Sequence, residues 1–339
     1  MPRIQIGAKQ AARPNDWRQA VLDQLRSGKV LPIISNRFHD DLLLGGHDQL
    51  VRDYAEHYRI PHESGGDLPA AAQYKTVMRE VAGAGDFIRR EYLEFVKSRL
   101  MDLAEAEAKK SNDNNLAGLL EDEESQFDEH DFSTLAANLG YPRFDVPEKD
   151  PLLILAGFDL PVYLTTSFHG MLEQALRRAG KQPRSMVCCW HPRITTDDGT
   201  DNDPLAADYR PSVQEPLVCH LHGLDSCPES LVLSEDDHLS FLVNVSRDRH
   251  LIPNRLRQAL NDSSLLLLGY DLAAWDFRTL LYSLIKNRSY RLQSVCVLQL
   301  QPSQEEQAYL NRYMDEVDFK VFWGDTTEYL QQLYAGLRG

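Results

Sequence analysis

The chain has no apolar run approaching the roughly 18 residues that cross a bilayer. Its first residues, Met1 to Pro14, carry scattered basic side chains without the apolar segment that directs export. These absences argue against a membrane partner and point to a cytoplasmic location. Cysteine is scarce: Cys188, Cys189, Cys219, Cys227 and Cys296 make five, an odd number without the spacing of a disulfide framework, which suits a reducing compartment. They read as small buried hydrophobes. Positive charge is also short, with 36 Lys and Arg against 51 Asp and Glu for a net charge of −15. Direct nucleic-acid binding, which rests on cations neutralising phosphates, is not expected. P-loop, zinc-finger and Gly-x-Gly-x-x-Gly patterns are missing, and so is any internal repeat.

What remains is a chain of 339 residues with 42% hydrophobic content, enough for one large α/β domain carrying an insertion, or for two ordinary domains. Residues 1–29 hold a helix-spaced segment, Asp16 to Leu25, ahead of a short buried strand, Val30 to Ile34, which Pro32 weakens by removing a ladder donor. From Leu50 to Leu119 the pattern is almost wholly helical, with Asp67 before Leu68 and Pro69 as a helix start and a long stretch from Phe87 to Lys110. Glu121 to Asp131 packs seven acids into eleven residues and predicts an exposed loop or disordered link, with an acidic docking tail as the functional alternative.

After Asp150 and Pro151, an N-cap followed by proline at the first helical position, strands alternate with helices. Val162 to Thr165, Ser185 to Cys189, Leu217 to Leu221, Leu265 to Leu268, Val295 to Leu298 and Phe319 to Phe322 are the strand candidates. Gly170 to Ala179, Trp275 to Lys286, Ser303 to Met314 and Thr326 to Tyr334 are the helices, the first capped by Gly180. That alternation signals parallel βαβ units, and strands apolar on both faces need helices on both sides. The fold class is therefore α/β, a Rossmann-like doubly wound parallel sheet over residues 30–339, with a helical insertion at about 50–150 that includes the acidic linker 121–131.

Open parallel sheets bind ligands beyond the carboxyl ends of their strands, and four strand ends carry suitable chemistry. Thr165-Thr166-Ser167-Phe168-His169-Gly170 runs from a strand through hydroxyls into a helix; it suits a phosphate or ribose, or equally a simple helix cap. Cys219-His220-Leu221-His222-Gly223 alternates so that His220 and His222 share one side, with a glycine exit, and puts a histidine where a general base works near neutral pH. A metal held by those histidines with Cys219, Cys227 or His191 lacks matched ligand spacing, so no metal site is assigned. Leu268-Gly269-Tyr270-Asp271 opens a polar and aromatic loop through a glycine that lets backbone approach a ligand, and Trp323-Gly324-Asp325 offers an aromatic ring for an adenine or for the core. Ser234 with Asp237 reads as a capping box.

Taken in order, these segments resemble the sirtuin superfamily, and most closely its bacterial sirtuin-like branch found in anti-phage defence proteins. Thr165 to His169 stands where that family has Thr-x-Asn-x-Asp, Ala179-Gly180 where a helix ends in Ala-Gly, and His222-Gly223 where a strand ends in His-Gly. Leu231 to Asp237, Leu267 to Arg278 and Trp323-Gly324 are similar to further segments of the bacterial branch. Two departures matter: Ile34-Ser35-Asn36-Arg37 replaces the Gly-Ala-Gly phosphate loop, and Ser167 and His169 replace the asparagine and aspartate. The four-cysteine zinc module of protein deacylases is missing, which argues against peptide deacetylation.

The resemblance implies NAD as substrate or ligand and an NAD hydrolase releasing nicotinamide and ADP-ribose, acting as a defence effector. Its alternative is a catalytically impaired NAD or ADP-ribose binding or assembly module. It assigns catalysis to His222, Ser167 and His169, with Ser35, Asn36, Arg37, Thr165, Thr166, Gly223, Gly269, Tyr270, Asp271 and Trp323 around the ligand. It further implies a homo-oligomer and a partner ATPase or nucleic-acid-sensing protein.

Overall fold

The computed structural model describes residues 14–61, 65–79, 84–141, 150–191, 194, 209–248, 251–286, 294–298, 303–316 and 319–338. Among these, seven strands form one sheet in the order β3-β4-β2-β1-β5-β6-β7. They are β1 (Val30–Ile34), β2 (Val162–Thr165), β3 (Arg184–Val187), β4 (Leu217–His220), β5 (Ser264–Leu268), β6 (Ser294–Leu298) and β7 (Phe319–Trp323). Every pairing is parallel.

Helix α1 (Pro14–Arg26) precedes β1. Between β1 and β2 lie α2 (Asn36–Leu43), α3 (His47–His57), α4 (Leu68–Met78), α5 (Ala84–Ser111), α6 (Asn114–Ser125), α7 (Phe132–Asn138) and α8 (Pro151–Ala156). Helix α9 (Met171–Arg178) follows β2, and α10 (Glu235–Arg247) with α11 (Asn254–Asp262) leads into β5. The remaining helices are α12 (Trp275–Leu280), which continues as a π-turn over Leu281–Ile285, α13 (Gln304–Asp315) and α14 (Thr326–Arg338). No helix among the described residues is long and apolar enough to cross a membrane.

The sheet is wound on both faces because its central strands are apolar on both. Val30 and Ile34 of β1, with Leu266 and Leu268 of β5, pack into one core with α2, α3, α5, α8 and α14. Leu31 and Ile33, with Leu265 and Leu267, face the other core with α10, α11 and α12. Each such leucine contributes about 1.5–3 kcal/mol by leaving water. Pro32 does not exclude β1 from the centre of the sheet. It shares the orientation of Ile34, toward β2, and the pairing there begins only at Ile33↔Leu164. On the β5 side the ladder runs the full strand, from Val30↔Ser264 to Ile34↔Leu268.

Helix starts follow the sequence chemistry: Asp150 caps α8 ahead of Pro151, Asp67 caps α4, and Ser234 with Asp237 closes a capping box on α10. The expected acidic loop is corrected over its first half. Residues 121–125 finish α6, whose Leu116, Leu120 and Glu123 form one buried face. Glu123 meets His130 Nδ1 at 2.9 Å and accepts from Asn138 Nδ2 at 2.9 Å. Lys97 donates to the carbonyls of Phe127 and His130, so the segment beyond α6 is held to α5. Acid count had hidden the helical spacing of the few residues that face inward. Cys188, Cys189 and Cys219 are buried and Cys227 half-buried, as small hydrophobes; the side chain of Cys296 lies outside the described residues.

Candidate functional site

From β1 the chain moves to β2 on one side, and after β4 it crosses to β5 on the other. The crevice beyond the carboxyl ends of β1 and β5 is thus the topological switch point. Ser35 closes its floor. As N-cap of α2 it accepts from the Phe38 backbone N–H at 3.1 Å, and its hydroxyl donates to the Gly269 carbonyl. Gly269 has φ +75°, and a Cβ there would stand 2.5 Å from Phe38 Cβ and 2.7 Å from Ser35 Oγ. The close approach that glycine permits is therefore filled by α2, not left for a ligand.

Above this floor lies a pocket of about 120 Å³. That is near the size of a cavity that takes one benzene ring, so its enclosed part suits a single ring or sugar. Of the residues singled out from sequence, Asn36, Arg37, Thr166, His222 and Asp271 line it. The fold adds His47 from α3, Tyr92 from α5, His238 from α10, and Trp275 with Asp276 from α12. Nothing in the sequence marked His47, Tyr92 or His238: each stands alone on a helix, and only the packing of α3, α5 and α10 over the sheet delivers it. Trp275 and Asp276 fall within Leu267 to Arg278, a segment similar to one of the bacterial sirtuin-like branch.

Polar satisfaction divides these residues. Arg37 is held by two carboxylates, Asp48 at 3.0 Å and Asp271 at 3.5 Å. Asn36 donates its backbone N–H to Thr166 Oγ1 at 3.1 Å and its Nδ2 to Asp40 Oδ2 at 3.0 Å. By contrast Asn36 Oδ1, Tyr92 Oη, His222 Nε2 and His238 Nδ1 are buried without a hydrogen-bond partner. An unmade buried hydrogen bond costs about 1–3 kcal/mol, so these four atoms, on residues around one pocket, are a cost that the described side chains leave uncompensated.

Burial sets the charge state of the histidines. His222 is held well below its ordinary pKa by desolvation and by neighbouring His238, whose ring centroid is 5.2 Å away. Desolvation brings His238 down to about 4, with its ring stacked on Trp275 at 6.2 Å. Both are neutral at pH 7. Asp276 is pushed up to about 6 by desolvation. Burial opposes the charge on His47, but the Asp40 carboxylate 2.8 Å away outweighs it and raises the pKa; Asp40 itself is raised by burial.

The other predicted residues lie outside the pocket lining. Thr165 donates to the Ile34 carbonyl and accepts from the Ser167 N–H, bracing β2 against β1. Ser167 is fully buried, its hydroxyl accepting from the His169 N–H at 3.3 Å. His169 is stacked on Phe132 at 5.3 Å and meets His39 edge-on at 4.8 Å. Tyr270 is buried with its hydroxyl 3.5 Å from Thr166 Oγ1. Gly223, at φ +93°, lies so close to the loop below α10 that a Cβ would stand 2.4 Å from the Ser230 carbonyl oxygen. Trp323 ends β7, two strands beyond β5.

His220 and His222 do not act as a pair. The strand ends at His220, which turns inward: its Nε2 meets Glu173 Oε1 at 2.7 Å and its Nδ1 the Ser167 carbonyl at 2.9 Å. His222, past the strand end, faces the pocket lining instead.

A family model described as the SIR2-like domain matches residues 161–317. The match runs from β2 through α13 and takes in Thr166, His222, His238, Asp271, Trp275 and Asp276, whereas Asn36, Arg37, His47 and Tyr92 come from before it. The match covers less than half of the chain, and it makes residues 161–317 similar to a domain that generally binds NAD. No curated protein matches the chain.

Proposed function

We propose that the chain binds NAD at this pocket and hydrolyses the bond between its nicotinamide and ribose. The observation that carries the reading is the set of four buried, unpartnered polar atoms on Asn36, Tyr92, His222 and His238 around one pocket at the switch point. Their chemistry fits a sugar: an amide oxygen, a phenol and two neutral imidazoles accept and donate to hydroxyls, while Trp275 offers a ring face. Asp271 and Asp276 add carboxylates where a glycosidic break develops positive charge on the sugar. His222, neutral because it is buried, accepts the proton that water or a ribose hydroxyl gives up. Arg37, shared between two carboxylates, fixes the start of α2 and adds a guanidinium to the pocket lining, where a phosphate would compete with those carboxylates for it.

In this reading Ser167 and His169 shape the wall behind Thr166 and Phe168. The proposal extends to the role of a defence effector that works as an oligomer with a partner ATPase or nucleic-acid-sensing protein, as the bacterial sirtuin-like branch implies. A second reading, ligand binding without turnover, is favoured by one observation: Ser167, at the position of the family asparagine, spends its hydroxyl on the His169 backbone.

Incubation of the purified chain with NAD, with nicotinamide and ADP-ribose quantified by chromatography, decides between them. Hydrolysis predicts release that falls at least about 100-fold in His222→Ala, the scale of losing one oriented catalytic group. A thermal shift with NAD but no product supports binding alone. Neither shift nor product removes NAD from the account.

A further inference from the structure

We infer that Asn36 is the pocket's catalytic amide, its Oδ1 accepting a hydrogen bond from the attacking water, and that Asp40 is the positioning residue that aims it; this rests on the hydrolase reading above. An amide group has two donor hydrogens on nitrogen and an acceptor oxygen. Asp40 is fully buried and anchored by His47 Nδ1 at 2.8 Å, and its Oδ2 takes the Asn36 Nδ2 at 3.0 Å. A carboxylate accepts and does not donate, so it selects the orientation with nitrogen toward Asp40. Oδ1 is thereby left buried and unpartnered, on a residue that lines the pocket with His222. The backbone of Asn36 is fixed as well, its N–H on Thr166 Oγ1 at 3.1 Å.

This arrangement bears on the sequence departure at Ser167. The amide missing from the end of β2 is supplied from the end of β1, one strand over. In the step it serves, the water oxygen bonds to the anomeric carbon of the ribose while the bond to the nicotinamide nitrogen breaks. That electron pair leaves with neutral nicotinamide, and the water proton passes to His222 and on to solvent.

The test measures nicotinamide release and calorimetric NAD affinity on the full chain, with Asn36→Ala, Asn36→Ser, Asp40→Leu and Asp40→Asn beside wild type. Both Asn36 variants are expected to release nicotinamide about 100-fold more slowly, with NAD affinity changed less than about threefold. Two substitutions at position 36 separate a lost group from a misfolded variant, which a melting curve identifies. Asp40→Leu is expected to lower kcat with KM unchanged, and Asp40→Asn, which keeps an acceptor for the amide, to restore most of it. An active wild type whose Asn36 variants both keep its rate overturns the inference and leaves the hydrolase reading standing. Asp40→Leu at the wild-type rate overturns Asp40's part. A wild type that binds NAD without releasing nicotinamide overturns the hydrolase reading, and this inference with it.

Discussion

Two histidines two residues apart, His220 and His222, sit on opposite sides of a line between structure and chemistry. His220 has both ring nitrogens engaged, on Glu173 and on the Ser167 carbonyl, inside a fully buried pair. His222 has a buried nitrogen with no partner, beside a pocket. The pairing raises the pKa of His220 in spite of its burial, whereas burial, with neighbouring His238, drives His222 down. Both titrate away from 6.5 for physical reasons, and in opposite directions. A shifted histidine is thus no guide to function until its partners are counted.

The largest expected effect lies on the interior side of this comparison. Glu173→Ala leaves His220 buried without its counter-charge and removes the acceptor of the Ser185 hydroxyl at 2.8 Å. Breaking a buried pair in this way costs about 3–5 kcal/mol, to be read as a fall in the urea midpoint of unfolding. The lowered pKa of Glu173, where the His220 charge and bonds to His220 and Ser185 outweigh burial, contributes stability present above 4.5 and lost as pH falls. The raised pKa of His220 contributes stability present below 6.5 and lost as pH rises through the folded value. Both hold between those limits, so the variant's deficit is greatest there. A loss below about 1 kcal/mol would mean that the pair is not the structural element it is taken to be.

A smaller effect, opposite in pH sign to that of His220, belongs to the pocket. His238 stays neutral in the folded chain down to about 4, whereas the unfolded chain protonates it below 6.5. Its contribution is full above 6.5 and lost as pH falls toward 4. His238→Phe keeps the ring and removes the titration, flattening the acid limb of stability by up to about 1.4 kcal/mol per pH unit. Urea midpoints at pH 7, 6 and 5 measure this; an unchanged slope would place the proton-linked loss elsewhere.

Strand positions were legible because Leu265 to Leu268 and its neighbours are apolar on both faces, a pattern that helices on two sides of a parallel sheet require. Strand ends are legible for the same reason and lead to Thr166, His222 and Asp271, whereas Asn36 and Arg37 come from the resemblance, at the place of its phosphate loop. What could not be read was which polar atoms the fold satisfies internally. Gly269 reads as clearance for a ligand and Gly223 as a glycine exit from its strand, and the chain fills the space at both, with Phe38 and Ser35 at the first and Ser230 at the second. Nor does local pattern report that α5 brings Tyr92, or α10 brings His238, to the same place, since those contacts join residues far apart in the chain.

The smallest expected effect tests how far the ligand reaches along the strand ends. Trp323 offers an aromatic ring beside a glycine, yet it terminates β7, with β6 between it and β5, and it lies outside the pocket lining. An adenine held there would have to extend past the end of β6, away from Asn36, His222 and Tyr92. If the pocket at β1 and β5 supplies the binding energy, Trp323→Ala lowers the melting temperature modestly, through lost packing, and leaves the NAD-induced thermal shift within about 1 °C of wild type, because linkage stabilisation depends only on an unchanged Kd. Loss of the shift would instead assign half of the site to the edge of the sheet and make the pocket the receptor for one end of a ligand stretched across three strands.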